Sequence, residues 1–77
     1  MNRYIATFYS HFGATVYFQA LKKQGVAVKL APVPRKVSAS CGTCAYYEHE
    51  TAIELEDCEL DAIFLETDGT WECVLKR

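Results

Sequence analysis

The strongest chemical signal in the chain is a pair of cysteines three positions apart, Cys41 and Cys44, in the run Cys41-Gly42-Thr43-Cys44. Two sulfurs at this spacing can close a reversible disulfide, share a metal ion, or release a persulfide carried on one of them. Thiolate is the reactive form, and nearby cations or a helix N-terminus lower a cysteine pKa by about 1–5 units. Arg35 and Lys36 stand a few residues upstream as sources of such a field. Ser38 and Ser40 supply hydroxyls for a thiolate or a bound anion, and Gly42 leaves the backbone beside Cys41 bare to an approaching protein. The bland alternative is that both cysteines are small residues beside a turn.

A metal site needs more ligands than one pair provides. Cys58 follows Cys44 after thirteen residues and Cys73 follows Cys58 after fourteen. The four thiols together are a candidate tetrahedral zinc set, since sulfur ligation suits zinc. However, zinc ribbons end on a second closely spaced pair, and none is present. Cys73 also alternates with Trp71 and Leu75 in a strand pattern, which predicts a core-facing position. His49 is a substitute ligand, but a lone surface histidine is ordinarily solvated. His11 opens a helix and has the chemistry of a base, although solvation or capping in the first turn is the plainer role. Gly13 and Gly25 form no phosphate-binding fingerprint, no Ser-His-Asp arrangement is legible, and no cofactor is implied.

The elements that must position these groups follow from patterning. Arg3 to Tyr9 reads as a strand with Tyr4, Ala6 and Phe8 on one face. Ser10 is an N-cap candidate for a helix starting near His11, with Ala14, Tyr17, Phe18 and Leu21 along one side. Lys22 and Lys23 suit its C-terminal end and Gly25 its C′ position. Val26 to Ala31 reads as a second strand, so these pieces predict a βαβ unit with parallel strands. Pro32 and Pro34 end it. An exposed loop over Arg35–Ser40 leads to a third strand through Cys44–Glu48, in which Tyr46 and Tyr47 point to opposite faces. Residues 49–59 suit either a strand or a short helix. Ala62–Thr67, Asp68-Gly69 and Thr70–Lys76 form a two-residue hairpin pattern that sets Phe64 opposite Cys73 and Glu66 opposite Trp71. The expectation is an α+β fold over residues 1–77 as a single domain: a βαβ unit, then an extended strand and a C-terminal β-hairpin, in a small mixed sheet with one main helix.

Composition narrows the functions. The 77 residues are 51% apolar with a net charge of −2. A chain this short buries only about 60% of the surface its unfolded form exposes, which leaves little room for a large enzyme pocket. Exposed aromatics over a small core are compatible with a homodimer. The basic residues cluster only as Lys22-Lys23, Arg35-Lys36 and Lys76-Arg77, whereas seven acidic residues fall between Glu48 and Asp61. That balance argues against nucleic acid, whose binding needs a basic patch. The first residues lack the regions of a signal peptide, and no apolar stretch approaches the roughly 18 residues of a membrane span. The expectation is a cytoplasmic protein whose cysteines are thiols or ligands and not a disulfide framework.

The sequence resembles the selenium/sulfur carrier-like proteins. The likeness rests on the opening Tyr4-Ile-Ala-Thr-Phe-Tyr-Ser10, on Gly25-Val-Ala-Val-Lys-Leu30, and above all on Pro32-Val-Pro34-Arg35-Lys36-Val37-Ser38-Ala39-Ser40-Cys41-Gly42. It implies a compact α+β domain that carries sulfur or selenium as a persulfide or perselenide on Cys41, between donor and acceptor proteins. On that reading Arg35 stabilises the anion, Lys36, Ser38, Ser40 and Gly42 complete its surroundings, and Cys44 is a resolving thiol. A carrier is turned over only by its partners, so whether it counts as an enzyme is left open. The family pattern requires the cysteine before glycine but no second cysteine at position 44, and the chain after residue 48 departs from it. A dithiol redox module using Cys41 and Cys44, and a zinc-stabilised interaction domain, therefore remain as alternatives.

Overall fold

In the computed structural model, which describes residues 1–37 and 39–77, the elements run in the order β1 (Asn2–Phe8), α1 (His11–Lys23), β2 (Val28–Pro32), β3 (Thr43–His49), β4 (Leu60–Thr67) and β5 (Thr70–Lys76). The strands form one sheet in the order β2-β3-β1-β4-β5. The α+β class, the β1-α1-β2 succession, the following strand and the C-terminal hairpin are all present. Among the described residues no helix is long and apolar enough to cross a membrane.

One expectation changes. β1 and β2 point the same way but are not neighbours, because β3 lies between them and pairs antiparallel with both. Every ladder is therefore antiparallel, and the parallel β1–β2 pairing and mixed sheet do not form. The short return after β2 favours this arrangement. Leaving Pro32, the chain closes a ten-residue connection on which Val33 N–H donates to the Gly42 carbonyl at 3.0 Å. This return costs less loop entropy than a new long connection and delivers β3 into the slot beside β1. The result is a split βαβ unit.

The helix forms where its caps predict. Ser10 is extended (φ −146°, ψ 161°) and its hydroxyl accepts from Gly13 N–H at 3.2 Å. At the other end Gly25 takes φ 77°, Val26 N–H donates to Leu21 O and Gly25 N–H to Lys22 O, both at 3.0 Å. These two bonds make a Schellman cap, and Leu21 and Val26 both join the core beside it. Ala14, Tyr17 and Leu21 are fully buried, whereas Phe18 lies at the margin with the Lys22 ammonium 5.4 Å from its ring centre.

The core between α1 and the sheet is built on aromatics. Tyr4, Ala6 and Phe8 of β1 share it with Ala45, Tyr47 and Ile63. The Tyr17 ring lies 5.2 Å from Phe8 and 5.8 Å from Tyr47, and Tyr47 stacks on Tyr4 at 5.2 Å. Two of these hydroxyls hold the segment whose structure was ambiguous from sequence. Tyr17 donates to Ile53 O at 2.6 Å, and Tyr47 accepts from Ile53 N–H at 3.0 Å. Residues 50–59 form neither strand nor helix, and Asp57 and Glu59 adopt φ 61° and 53°. At Ile53, side-chain hydroxyls thus supply the backbone partners that a ladder would have supplied.

The hairpin turns through Asp68 (φ 49°) and Gly69 (φ 82°), the type I′ signature. The register sets Phe64 opposite Cys73 and Glu66 opposite Trp71, as the pattern predicts, and shifts between Ile63 and Phe64. Cys73 is nevertheless exposed, not core-facing. It lies on edge strand β5, in the row of Phe64, on the face of the sheet away from α1.

Helix α1 docks through a close approach at Gly13. A Cβ there would stand 2.0 Å from the Cys58 carbonyl oxygen and 2.9 Å from its carbon. Replacing glycine by alanine in a helix ordinarily gains about 0.5–1 kcal/mol. Here the clash is with backbone, which no rotamer change relieves, so it outweighs that gain. Gly13→Ala is expected to lose about 2–4 kcal/mol of stability. A urea midpoint equal to or above that of the wild type would show that the helix docks differently.

Candidate functional site

The cysteine segment joins two neighbouring strands at one end of the sheet. Pro32 is the last residue of β2 and pairs with Thr43, the first of β3. Beyond that pair, Val33 and Gly42 continue the ladder by the bond already described, and residues 34–41 form the tip. Val37 N–H donates to Pro34 O at 3.0 Å, and the Val37 side chain is buried, which anchors the tip by its middle. Arg35 and Lys36 beside it are exposed, and among the described residues neither pairs with a carboxylate. Ser40 is exposed as well. Ser38 lies outside the described residues.

Strand geometry separates the two cysteines. Cys41 precedes β3 and is half-buried, with a free thiol. Gly42 next to it is exposed, and a side chain there would meet nothing within 4 Å, so the backbone beside Cys41 is open on that side. Cys44 lies inside β3, paired with Thr7 of central strand β1 on one side and Ala31 on the other. It is fully buried, and its thiol donates to Pro32 O at 3.7 Å. Burial pushes its pKa up to about 11, a rise that a hydrogen bond from Tyr46 partly offsets. Cys44 is therefore a neutral thiol at physiological pH, held as a weak donor to backbone.

The other cysteines do not join them. Cys58 is fully buried beneath the first turn of α1, donates to Leu55 O at 3.5 Å, and has its pKa raised by burial. Cys73 is on β5, three strands across the sheet from the Cys44 strand, which amounts to roughly 14 Å at the usual strand spacing. Among the described residues no three metal-ligating side chains cluster, so the four-cysteine zinc set does not assemble. His49 is taken up locally, with its Nδ1 3.1 Å from Thr51 O.

Two features near this segment were not legible as a site. His11, the first residue of α1, has Nδ1 3.3 Å from the Thr43 hydroxyl, inside the cysteine motif. On the uncovered face of the sheet an open groove of about 720 Å³ runs beside edge strand β2, with Lys29, Ala31, Tyr46 and Trp71 among its walls. Tyr46 packs edge-on to Trp71 at 6.3 Å, and the Lys29 ammonium lies 5.8 Å from the Tyr46 ring centre. Arg3, on the same rim, is held by Glu66 and Glu48 at 3.2 and 3.6 Å. Period-two patterning places Tyr46 on that face, but only the ladder register brings Trp71 beside it.

A family model described as "Putative Se/S carrier protein-like" matches residues 3–71. Among curated proteins, "Uncharacterized protein YtiA" of Escherichia coli (strain K12) is 23% identical over 77 residues, covering 96% of this chain and 91% of the relative. No solved structure matches.

The raised Cys44 pKa sets the sign of a pH effect. An unfolded cysteine ionises near pH 9.0, whereas the native thiol stays protonated to about 11. Between those values the native state binds the extra proton, so stability falls as pH rises through the window and levels off above it. The loss is at most about 3 kcal/mol. Cys44→Ala is expected to flatten this part of the stability–pH curve. Parallel curves for variant and wild type would show that Cys44 is not ionised differently in the two states.

Proposed function

Because this chain belongs to the Se/S carrier-like family, we propose that it carries sulfur or selenium on Cys41, accepting it from a donor protein and passing it to an acceptor. The single observation that carries this reading is the separation within the cysteine pair: Cys41 is reachable beside an open glycine, and Cys44 is a buried, neutral thiol. Loading balances without an outside oxidant. The Cys41 thiolate attacks the outer sulfur of a donor persulfide, the donor S–S bond breaks, and the donor leaves as a thiolate. The cargo is now the terminal sulfur of a Cys41 persulfide. Transfer to an acceptor thiolate repeats the step and regenerates the Cys41 thiolate.

Arg35 and Lys36 are exposed cations on the same tip and provide a favourable field for the negatively charged cargo. Ser40 and Ser38 serve as hydroxyl donors to it. Discharge onto Cys44 is also balanced: its thiolate attacks the inner sulfur, hydrosulfide leaves, and Cys41 and Cys44 are oxidised to a disulfide. That route first requires a buried thiol to become exposed and ionised, so it belongs to a rearranged state of the tip.

Incubation with glutathione persulfide, followed by intact-mass measurement, tests the reading. Wild type and Cys44→Ser are expected to gain one sulfur that a reductant removes, and Cys41→Ser to gain none. Retained loading in Cys41→Ser rules out the carrier role for Cys41. An equal need for both cysteines, with loss of two daltons across the pair, supports a dithiol redox module instead.

A further inference from the structure

The Cys41 segment is held against a part of the molecule distant in sequence. β1 and β3 run antiparallel, so β3 begins where β1 ends. After β1 only Tyr9 and Ser10 precede α1, which places the first turn of the helix and the cysteine segment at the same end of the sheet. His11 and Thr43 make the contact, with His11 Nδ1 3.3 Å from Thr43 Oγ1. Thr43 is two residues from Cys41, and Gly42 between them is itself fixed by its carbonyl to Val33 N–H.

Stability does not account for this bond. His11 is exposed and Thr43 only half-buried, and a hydrogen bond open to water contributes little. Its effect is geometric, because it ties the start of β3, and the Cys41-Gly42 backbone leading into it, to the first turn of α1.

We propose that His11 is a positioning residue for Cys41, acting through Thr43 to hold the Cys41-Gly42 backbone beside the first turn of α1. The inference rests on the carrier reading of Cys41 and adds to it the second element of the site. His11 exchanges no bond with the cargo in this role, and either imidazole tautomer can make the bond to the Thr43 hydroxyl.

The test is the rate at which iodoacetamide alkylates Cys41 at pH 7, followed on the Cys41 peptide, in wild type and variants. His11→Ala and Thr43→Val are each expected to slow it about two- to fivefold, the size of losing one partly exposed hydrogen bond. The double variant should be no slower than the slower single one, since both remove the same bond. His11→Asn, whose amide reaches the same hydroxyl, and Thr43→Ser should restore the rate, with melting temperatures unchanged throughout. An unaltered rate in His11→Ala, additive losses in the double variant, or His11→Asn as slow as His11→Ala would each overturn the proposal. Loading from glutathione persulfide separates this inference from the one beneath it. If Cys41 gains no sulfur but its alkylation depends on His11, the carrier role falls and the positioning role stands. If it loads equally fast with and without His11, positioning falls and the carrier role stands.

Discussion

The architecture turns on the absence of a side chain at Gly13. With no Cβ there, the first turn of α1 lies directly on the Cys58 carbonyl, at the entrance to β4. That contact fixes the helix N-terminus relative to the sheet. It also lets Ser10 act on two sides, accepting from Gly13 N–H while its hydroxyl pairs with the Glu59 carboxylate. Cys58 and Glu59 are in turn carried by a connection with no regular structure of its own. One backbone approach therefore ties the helix cap, the irregular segment 50–59 and the start of β4 together.

The aromatic core completes this arrangement by doing polar work as well as apolar. Tyr17 and Tyr47 bury their rings against Phe8 and Tyr4 and direct their hydroxyls to the two backbone groups of Ile53. A buried tyrosine hydroxyl and an unpaired buried amide would each be costly alone, and here they satisfy one another. Tyr17 is accordingly held strongly in its neutral form by burial. The same residues that supply hydrophobic mass replace the hydrogen bonds that Ile53 lacks for want of a ladder.

Helix coverage of one sheet face alone shapes the other face. There the middle strand is still buried at Ile5 and Thr7, and Thr7 satisfies its hydroxyl on the Ala62 carbonyl. Cys44 sits in the same row, between Thr7 and Ala31, and its chemistry follows from that place. Two positions further along the strand, and on the same face, Tyr46 stands beside Trp71 over the open groove. Cys41, just outside the ladder, escapes the burial that keeps Cys44 neutral. Two residues of chain thus separate a half-buried thiol from one that the sheet has made part of its interior.

Local physics, and so the sequence by itself, determined much of this protein. The Ser10 cap, the Gly25 terminus, the helix between them, the Asp68-Gly69 turn and the proline-ended β2 all depend on residues within a few positions of one another. The Cys41–Cys44 segment was legible as the candidate site for the same reason. Only the tertiary structure decided that β3 lies between β1 and β2, because that insertion turns on competition between distant pairings and not on any one strand's pattern. That choice buried Cys44 and brought His11 to Thr43 across 32 positions of sequence. Residues 50–59 were ambiguous because what holds them are contacts from elsewhere in the chain, the tyrosine hydroxyls at Ile53 and the helix start at Cys58 and Glu59, and no periodicity within the segment records them.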